Sequence, residues 1–452
     1  MKPALLISLS LTPSLLLAAS NPGRPVTFSE QIAPIVYNQC AACHHPGEAA
    51  PFSLTSYDEV KKRGQLIAAV TKSRYMPPWH AAPNFGEFAG ERRLTNDQIA
   101  LIGEWVKEGM PEGDPRKTPA LPHFVNGWHL GKPDLIVTMP KGFPLPASGP
   151  DIYRNFVVPL NLTEDKWVRA IEFHPGTRSV VHHTLFSYDA TGNLRKRDGA
   201  DGKPGFSGMD GGRGGKGGSL GGWAVGATPV PLADGLAYPL PKGSDLVLQE
   251  HFHLTGKAEV EQSTVGIYFA SKAPERALMG IQVPPVFGIG EHMDIPAGDK
   301  AYTIHDSFVV PVDVKAWAMG AHAHYLGKDM KAVATEPDGT KVPLLWIPDW
   351  DFAWQDRYPY KEPFVLPKGT RIDVTIVYDN SVGNPHQPSN PPKAVWWGEG
   401  SFDEMGSMTL QVTAVRKEDE RALYTALRAA RGKALLAAVA DGTVKRIRQG
   451  PQ

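Results

Sequence analysis

The only two cysteines of the chain stand three positions apart and are followed at once by a histidine, in Cys40-Ala41-Ala42-Cys43-His44. At this spacing two thiols can each add to one haem vinyl group, while the next histidine swings under the ring as an iron ligand. The segment that carries such a group must fold around it. A structural zinc site would need further Cys or His ligands close by, and a dithiol redox motif leaves His44 without a role. The expectation is one covalently attached haem c. With both thiols committed to it, the rest of the chain must hold together through hydrophobic cores alone, which 452 residues can supply.

A second axial ligand is expected downstream, where Tyr75-Met76-Pro77-Pro78-Trp79 presents a methionine on a proline-stiffened loop. A thioether opposite an imidazole raises the haem potential and suits an electron carrier, so Met76 is favoured over its rivals His45 and His80. Residues 27–113 resemble a class I cytochrome c domain. A short helix leads into the CAACH motif, and Leu94-Thr95-Asn96-Asp97-Gln98-Ile99-Ala100-Leu101-Ile102-Gly103-Glu104-Trp105-Val106 reads as its capped C-terminal helix, with Ile99, Ile102 and Val106 on one face.

Lys2 precedes an apolar run over residues 5–17 that ends in Ala18-Ala19-Ser20, the pattern of a signal peptide cleaved near Asn21. The run is short for a transmembrane span, so a periplasmic or secreted protein without a membrane span is expected. Basic and acidic residues balance at 47 each, which gives no electrostatic case for nucleic acid or an anionic membrane surface.

Residues 111–122 are rich in proline and charge and read as a linker. From residue 132 onward the texture changes to short β-branched and apolar runs, such as Asp134-Leu135-Ile136-Val137-Thr138 and Ser263-Thr264-Val265-Gly266-Ile267-Tyr268-Phe269, separated by Pro and Gly turns. This is the pattern of all-β sandwiches. Helix returns over residues 417–448, where Leu423, Leu427, Ala430 and Ala434 mark an apolar stripe expected to pack on the outside. The glycine-rich segment 202–222 resembles a phosphate loop only superficially, because Gly217 follows Lys216 where Ser or Thr should hold magnesium; a mobile surface loop is expected.

The histidines of the β region fall into His182-His183, His251-Phe252-His253, His322-Ala323-His324 and the isolated His386. In a strand, residues i and i+2 share a face, so each His-x-His can offer two imidazoles to one ion. Such a pair can also simply line a polar sheet face. Two pairs and an adjacent doublet together favour metal binding.

The order and flanks of these motifs resemble the copper type II, ascorbate-dependent monooxygenases, the family of peptidylglycine hydroxylating and dopamine β-monooxygenases. The resemblance covers residues 132–415. Val180-Val181-His182-His183-Thr184 is similar to the family's paired-histidine strand. Gly222-Trp223-Ala224-Val225-Gly226-Ala227, followed by Leu248-Gln249-Glu250-His251-Phe252-His253, is similar to the segment that ends in the third histidine of the first copper. Ala321-His322-Ala323-His324-Tyr325-Leu326-Gly327 resembles the second copper's strand, and Phe402-Asp403-Glu404-Met405 the segment that brings its methionine.

The resemblance implies that His182, His183 and His251 hold an electron-transfer copper and that His322, His324 and Met405 hold the copper that meets O2, with His253 left open as a supporting or alternative ligand. Imidazoles suit both copper oxidation states, and a thioether favours Cu(I). Met319 and Met408 read as plain core. The family's substrate-carboxylate clamp is missing, since Gly320, Ser407 and Thr409 stand at its positions, so a glycine-extended peptide is an unsuitable substrate. Gly406 replaces a disulfide cysteine of the animal enzymes. Trp346, Trp350, Trp354 and Tyr358 suit either a pocket for a hydrophobic or ring-bearing small-molecule substrate or the core.

The expected class is therefore a multidomain chain: an α-helical cytochrome c domain, then two all-β, jelly-roll-like sandwich copper domains, then a C-terminal helix. The expected boundaries are 1–20 for the signal peptide, 21–118 for the haem domain, 119–275 and 276–415 for the copper domains, and 416–452 for the helical extension. The expected function is an exported monooxygenase that hydroxylates a C–H bond with O2, an external donor feeding electrons to haem and from there to the two coppers. The competing reading is a non-enzymatic copper-handling or electron-transfer protein. Three-ligand sites, which leave a coordination position open, favour the enzyme.

Overall fold

A computed structural model describes residues 24–48, 50–125, 127–208, 217–225 and 227–449. The expected signal peptide lies outside the described residues. The chain divides into two compact units, one built from residues up to 77 together with 93–123, the other from 78–92 together with 124 onward.

The first unit is a small helical cluster: Phe28–Ile32 running into Ala33–Gln39, then Tyr57–Lys62, Gly64–Lys72 and Asn96–Lys107. The last helix starts where the sequence indicates, at a capping box in which Thr95 accepts from the Gln98 amide and Gln98 reaches back to the Thr95 amide. Its Ile102 and Trp105 are buried with Phe28, Ile32, Val36, Val60 and Ile67, while Ile99 and Val106 lie at the margin of that core. Residues 111–118, expected to be linker, belong to this cluster. Pro111 and Glu112 carbonyls accept from the Phe28 and Ser29 amides, Trp105 Nε1 donates to Pro111 O at 2.9 Å, and Lys117 pairs with Glu30.

The expected fold class, a multidomain chain led by an α-helical cytochrome c domain, needs correction. Strand accounts for 33% and helix for 19%, the helices ahead of residue 110 are short, and no α-helical cytochrome c domain is evident. One physical reason is local. Pro77, Pro78 and Pro83 take the chain out of helix, and the following stretch gives its hydrogen bonds to strands of the second unit: Ala82 N to Trp346 O at 2.7 Å, Ala89 N to Pro359 O at 2.8 Å, and Lys361 N to Glu87 O at 2.9 Å. Trp79 and Phe88 are buried there, in a β core.

The second unit contains two pairs of antiparallel sheets, each pair enclosing its own core. In the first, the order Leu135–Thr138, Thr264–Phe269, Lys166–His174, Tyr238–Leu240 faces the order Phe206–Ser207, Ile152–Pro159, Asp245–Phe252, Val181–Asp189, Gly217–Ala224. Their shared interior includes Phe156, Phe173, Phe186, Leu246, Leu248, Phe252 and Ile267. In the second, Met279–Val283, Gly406–Ala414, Val314–Ala323, Arg357–Leu366 faces Tyr302–Val309, Arg371–Tyr378, Gly327–Thr335, Lys341–Ile347, around Met319, Met330, Leu344, Ile376, Met408 and Leu410. The alternation of buried and exposed residues along Arg371–Tyr378 is the period-2 signature of a strand with one face in the core.

Two further expectations change. The glycine-rich segment is not wholly a surface loop: residues 209–216 lie outside the described residues, and Gly217–Ala224 is a strand paired with Val181–Asp189. Glycine is needed at 218 because a Cβ there would meet the Tyr188 ring at 2.6 Å. The C-terminal helix, Glu420–Ala440, is less peripheral than its stripe suggests, since Leu423, Ala434 and Ala438 join the second core, and a shorter helix, Thr443–Gln449, follows it. No helix among the described residues is long and apolar enough to cross a membrane.

Candidate metal centres

Adjacent residues in a regular strand point to opposite faces, so His182 and His183 cannot serve one ion unless the strand is irregular. It is. Val181 pairs with Phe252 and His183 with His251, and the register shifts between these two pairs, which places a bulge at His182. The bulge brings three imidazoles together. His182 Nδ1 lies 3.0 Å from His183 Nδ1 and 3.1 Å from His251 Nδ1, and the latter two are 3.4 Å apart. An ion held at about 2.0–2.1 Å by tetrahedral ligands spaces its donors roughly 3.3 Å apart, and this triangle has that size.

Burial disfavours the protonated form of all three imidazoles. Burial, then the neighbouring His251, lowers His182 to about 3. Burial also holds His183 well below its ordinary value, with His251, His182, His322 and His324 adding to the effect. His251 is lowered by burial against the pull of Asp151. Three neutral rings cannot satisfy all three Nδ1 contacts at once, because at least two of the atoms meet as like groups, and a cation among three lone pairs relieves this.

Asp151 supplies the support. Its Oδ2 lies 2.8 Å from His251 Nε2, so that ring can donate outward through Nε2 and keep a lone pair at Nδ1. Burial would raise Asp151, but the hydrogen bond from His251, with the nearby His253 ring adding to it, holds it below the usual carboxylate range. Tyr153 stacks on His251 with ring centroids 4.2 Å apart and an interplanar angle of 9°. His253, open as an alternative ligand, has a side chain 66% exposed and lies 3.0 Å from the other Asp151 oxygen. His251, not His253, joins the triangle.

The second group forms where Val314–Ala323 pairs with Gly406–Ala414. His322 stands opposite Ser407 and Ala323 opposite Gly406, so the register carried one step further sets His324 opposite Met405. The His324 and Met405 amides both donate to Glu404 Oε2, at 3.0 and 3.1 Å, and the Leu326 amide donates to Oε1 at 2.7 Å. Burial pushes Glu404 up to about 8 against those amides. A Cβ at position 406 would collide with the Tyr378 hydroxyl, so this position requires glycine.

Here the outward nitrogens are the Nδ1 atoms. His322 Nδ1 lies 2.6 Å from Gln355 Oε1 and His324 Nδ1 lies 3.0 Å from Asp403 O. Each acceptor fixes the tautomer with its proton on Nδ1 and its lone pair on Nε2. His324 Nε2 is buried without a hydrogen-bond partner, and burial, then the neighbouring His322, lowers this imidazole to about 3. The two rings are 5.2 Å apart at 89°, and Met405 is 2% exposed. Two imidazoles, with a buried methionine on the neighbouring strand, are a donor set of the type that suits a soft ion.

A single aromatic ring lies between the groups. Phe352 is within 5.6 Å of His182, 5.8 Å of His251 and 5.5 Å of His324, centroid to centroid. Residues 351–355 thus serve both groups, Phe352 among the rings and Gln355 on His322. Of the aromatics expected to line a pocket, Trp350 and Tyr358 are core, and Trp346 donates to Asp329 Oδ2 at 2.7 Å. Trp354 borders a small cleft with Gln355, His80, Arg92 and Val225. Gly320 stands opposite Thr409, and Ser407 is buried and accepts from Gln282 Nε2.

In the helical unit, Cys40 caps the helix Ala33–Gln39, and its carbonyl accepts from the Cys43 and His44 amides at 3.1 and 3.0 Å in a tight turn. Neither cysteine is in a disulfide. Burial, then the neighbouring Cys43, pushes the Cys40 thiol up to about 12. Burial lowers His44, whose Nδ1 lies 3.0 Å from Phe52 O, which leaves Nε2 as the lone-pair nitrogen. The contacts of His44 run to Phe52. Met76, partly buried, lies in the same unit, its amide donating to Val70 O, and makes no ring or hydrogen-bond contact with His44. Of its rivals, His45 Nδ1 lies 2.9 Å from Ala41 O, and His80 belongs to the second unit.

Asp151, Phe352, Gln355, Asp403 and Glu404 escape the sequence reading. The aromatic density of residues 346–358 signals Phe352 and Gln355, and Asp403 and Glu404 lie inside the Phe402–Met405 motif without a role assigned to them there.

No family model and no curated protein matches the chain. Among solved structures, it is similar to the VP2 subviral particle of infectious bursal disease virus at 12% identity, over 65% of this chain and 75% of that one, with a TM-score of 0.19. The Gx strain structure of that virus is similar at 12% identity over 62% and 70%, with a TM-score of 0.18. The CBM22-1-CBM22-2 tandem domain of Paenibacillus barcinonensis Xyn10C is similar at 10% identity over 57% and 82%, with a TM-score of 0.14. At such TM-scores these likenesses bear on neither fold nor function.

Proposed function

We propose that the chain is an exported, copper- and haem-dependent monooxygenase of the kind its motifs resemble, acting on a C–H bond of a small-molecule or hydrophobic substrate. The observation that carries this reading is the triangle of Nδ1 atoms from His182, His183 and His251, one phenyl ring away from the His322–His324 pair. Copper bound at the two groups supplies one-electron transfer and O2 activation, and haem at Cys40, Cys43 and His44 supplies a one-electron relay from an external donor.

The chain's own residues prepare those positions. Burial keeps the imidazoles unprotonated, so their lone pairs are available at neutral pH. Asp151, Gln355 and the Asp403 carbonyl hold the outward nitrogens and so decide which nitrogen faces the ion. The Met405 thioether biases its site towards the reduced metal. Glu404 fixes the backbones of His324 and Met405 with one oxygen, and the Phe352 ring lies close to both groups. With Gly320, Ser407 and Thr409 where a carboxylate clamp would stand, substrate selection by a free carboxylate is absent.

The test is O2 uptake by copper-loaded protein with a reductant, screened over aromatic, aliphatic and peptide substrates. Substrate-coupled uptake with a hydroxylated product is expected. Its absence, together with ready copper transfer to an acceptor, would give the chain to the copper-handling reading. Haem is tested separately: a Cys40→Ala, Cys43→Ala double variant should carry no covalent haem, and unchanged haem absorption in it would remove haem from the proposal.

A further inference from the structure

A third cluster of ligand-type side chains lies in the second unit, away from both groups above. Glu172 and His174 stand two residues apart on Lys166–His174 and so share a face, and His129 comes from the loop ahead of the first strand. Glu172 Oε1 is 2.9 Å from His129 Nδ1 and 3.0 Å from His174 Nε2, and the three ligand atoms all lie within 4.8 Å of one another. We infer that His129, Glu172 and His174 form a binding site for a borderline divalent cation, for which Zn2+ is the natural probe.

The argument rests on how many donors one oxygen can serve. Glu172 Oε1 also accepts from the His129 amide at 2.8 Å, so three nitrogens converge on an atom with two lone pairs. Oε2 is separately held by the Tyr268 hydroxyl at 3.0 Å and by the Leu130 amide at 3.3 Å. If both imidazoles donate, Oε1 is oversubscribed. If a cation sits among the three side chains, the amide uses one lone pair, the cation uses the other, and each imidazole turns a lone pair inward.

The surroundings suit this. The carboxylate is 1% exposed and fixed, while the His129 and His174 side chains remain 29% and 27% exposed, so a hydrated ion has a way in. Trp128 stacks on His174 with centroids 4.1 Å apart at 14°, which sets that ring's plane. Two imidazoles and one carboxylate are a donor set for Zn2+ more than for Cu(I), and three protein ligands leave one position for water. The Tyr268 hydroxyl shares its one proton between Glu172 Oε2 and Gly131 O, 3.0 and 2.8 Å away, so an ion here would pin the segment that leads into the first sheet.

The experiment is a Zn2+ titration of the full chain, read by chelator competition, compared across His129→Ala, His174→Ala and Glu172→Gln. Each variant is expected to bind one Zn2+ fewer per chain than the unsubstituted protein and to lose the part of the thermal stabilisation that Zn2+ confers through this site. His183→Ala serves as the reference: it should lose a different equivalent, so the losses in His174→Ala, His183→Ala add. Glu172→Gln removes a buried charge and is the variant at risk of misfolding. His129→Ala and His174→Ala, with partly exposed rings, decide in that event. Unchanged Zn2+ stoichiometry in both histidine variants, with native circular dichroism, would overturn the inference and leave the cluster as a hydrogen-bonded clamp.

Discussion

The two histidine groups reach a similar end by opposite use of the same side chain. At His182, His183 and His251 the Nδ1 atoms converge and a carboxylate holds an outer Nε2. At His322 and His324 the outer atoms are the Nδ1 nitrogens, held by an amide oxygen and a backbone carbonyl. What faces inward is therefore set by the partner on the far side of the ring, not by the histidine. The partners also differ in charge. An anionic partner makes the first group a stronger donor set for an oxidised ion, whereas neutral partners and the Met405 thioether suit a reduced one. This asymmetry is what a donor–acceptor pair of one-electron sites requires.

The harshest way to break the comparison is to remove a ring. His183→Ala should cost the first group its copper, reducing bound copper from two equivalents to one and abolishing steady-state substrate turnover, as read by elemental analysis and oxygen electrode. Retention of both equivalents would mean that the triangle is not a metal site. Met405→Ala should act differently, keeping Cu(II) on His322 and His324 while losing substrate-coupled O2 uptake by about 100-fold or more, measured by stopped-flow single turnover.

Substitutions of the outer partners sharpen the contrast with smaller effects. Asp151→Asn should weaken copper at the first group by about 10–100-fold, and Gln355→Leu should weaken it at the second by about 10-fold, each leaving the other group unchanged in competition titrations. Equal weakening of both groups by either variant would show that they are not separately anchored.

The smallest effect touches neither group and calibrates the rest. Burial, with Asp306 adding to it, raises Glu291 to about 7. Because the folded state holds this proton more tightly than the unfolded chain, the stability linked to it is full below the ordinary carboxylate range and is lost as pH rises towards 7. Glu291→Gln should therefore raise the melting temperature by about 2–5 °C at pH 8 and by nothing at pH 4. A gain at pH 4 alone would reverse the sign of the argument.

How much of this was legible in the sequence depends on the range of the interaction that decides it. His322 and His324 follow strand periodicity and are readable at once, as is the capping box at Thr95. His182 and His183 as a joint ligand pair are not readable from periodicity, because adjacent residues meet only through a bulge whose register is set across the sheet by Phe252 and His251. Asp151, Gln355 and Phe352 are single residues in loops, and nothing local marks a carboxylate that will meet a histidine 100 positions away. Glu172-x-His174 carried the same two-residue spacing as the His-x-His pairs, and its carboxylate hid it from a reading that sought repeated histidines. One motif and one amphipathic helix do not suffice to specify a helical haem domain, since the proline-rich stretch between them gives its hydrogen bonds to the β unit.

The central claim is that two chemically different copper sites lie side by side, one all-nitrogen and one with sulfur. X-ray absorption of the protein loaded with two Cu(I) per chain tests it most directly. The account predicts a copper–sulfur shell at half occupancy that disappears in Met405→Ala and persists in Met76→Ala, while the imidazole shell remains in both. A spectrum without sulfur, or a sulfur shell that survives Met405→Ala unchanged, would contradict it.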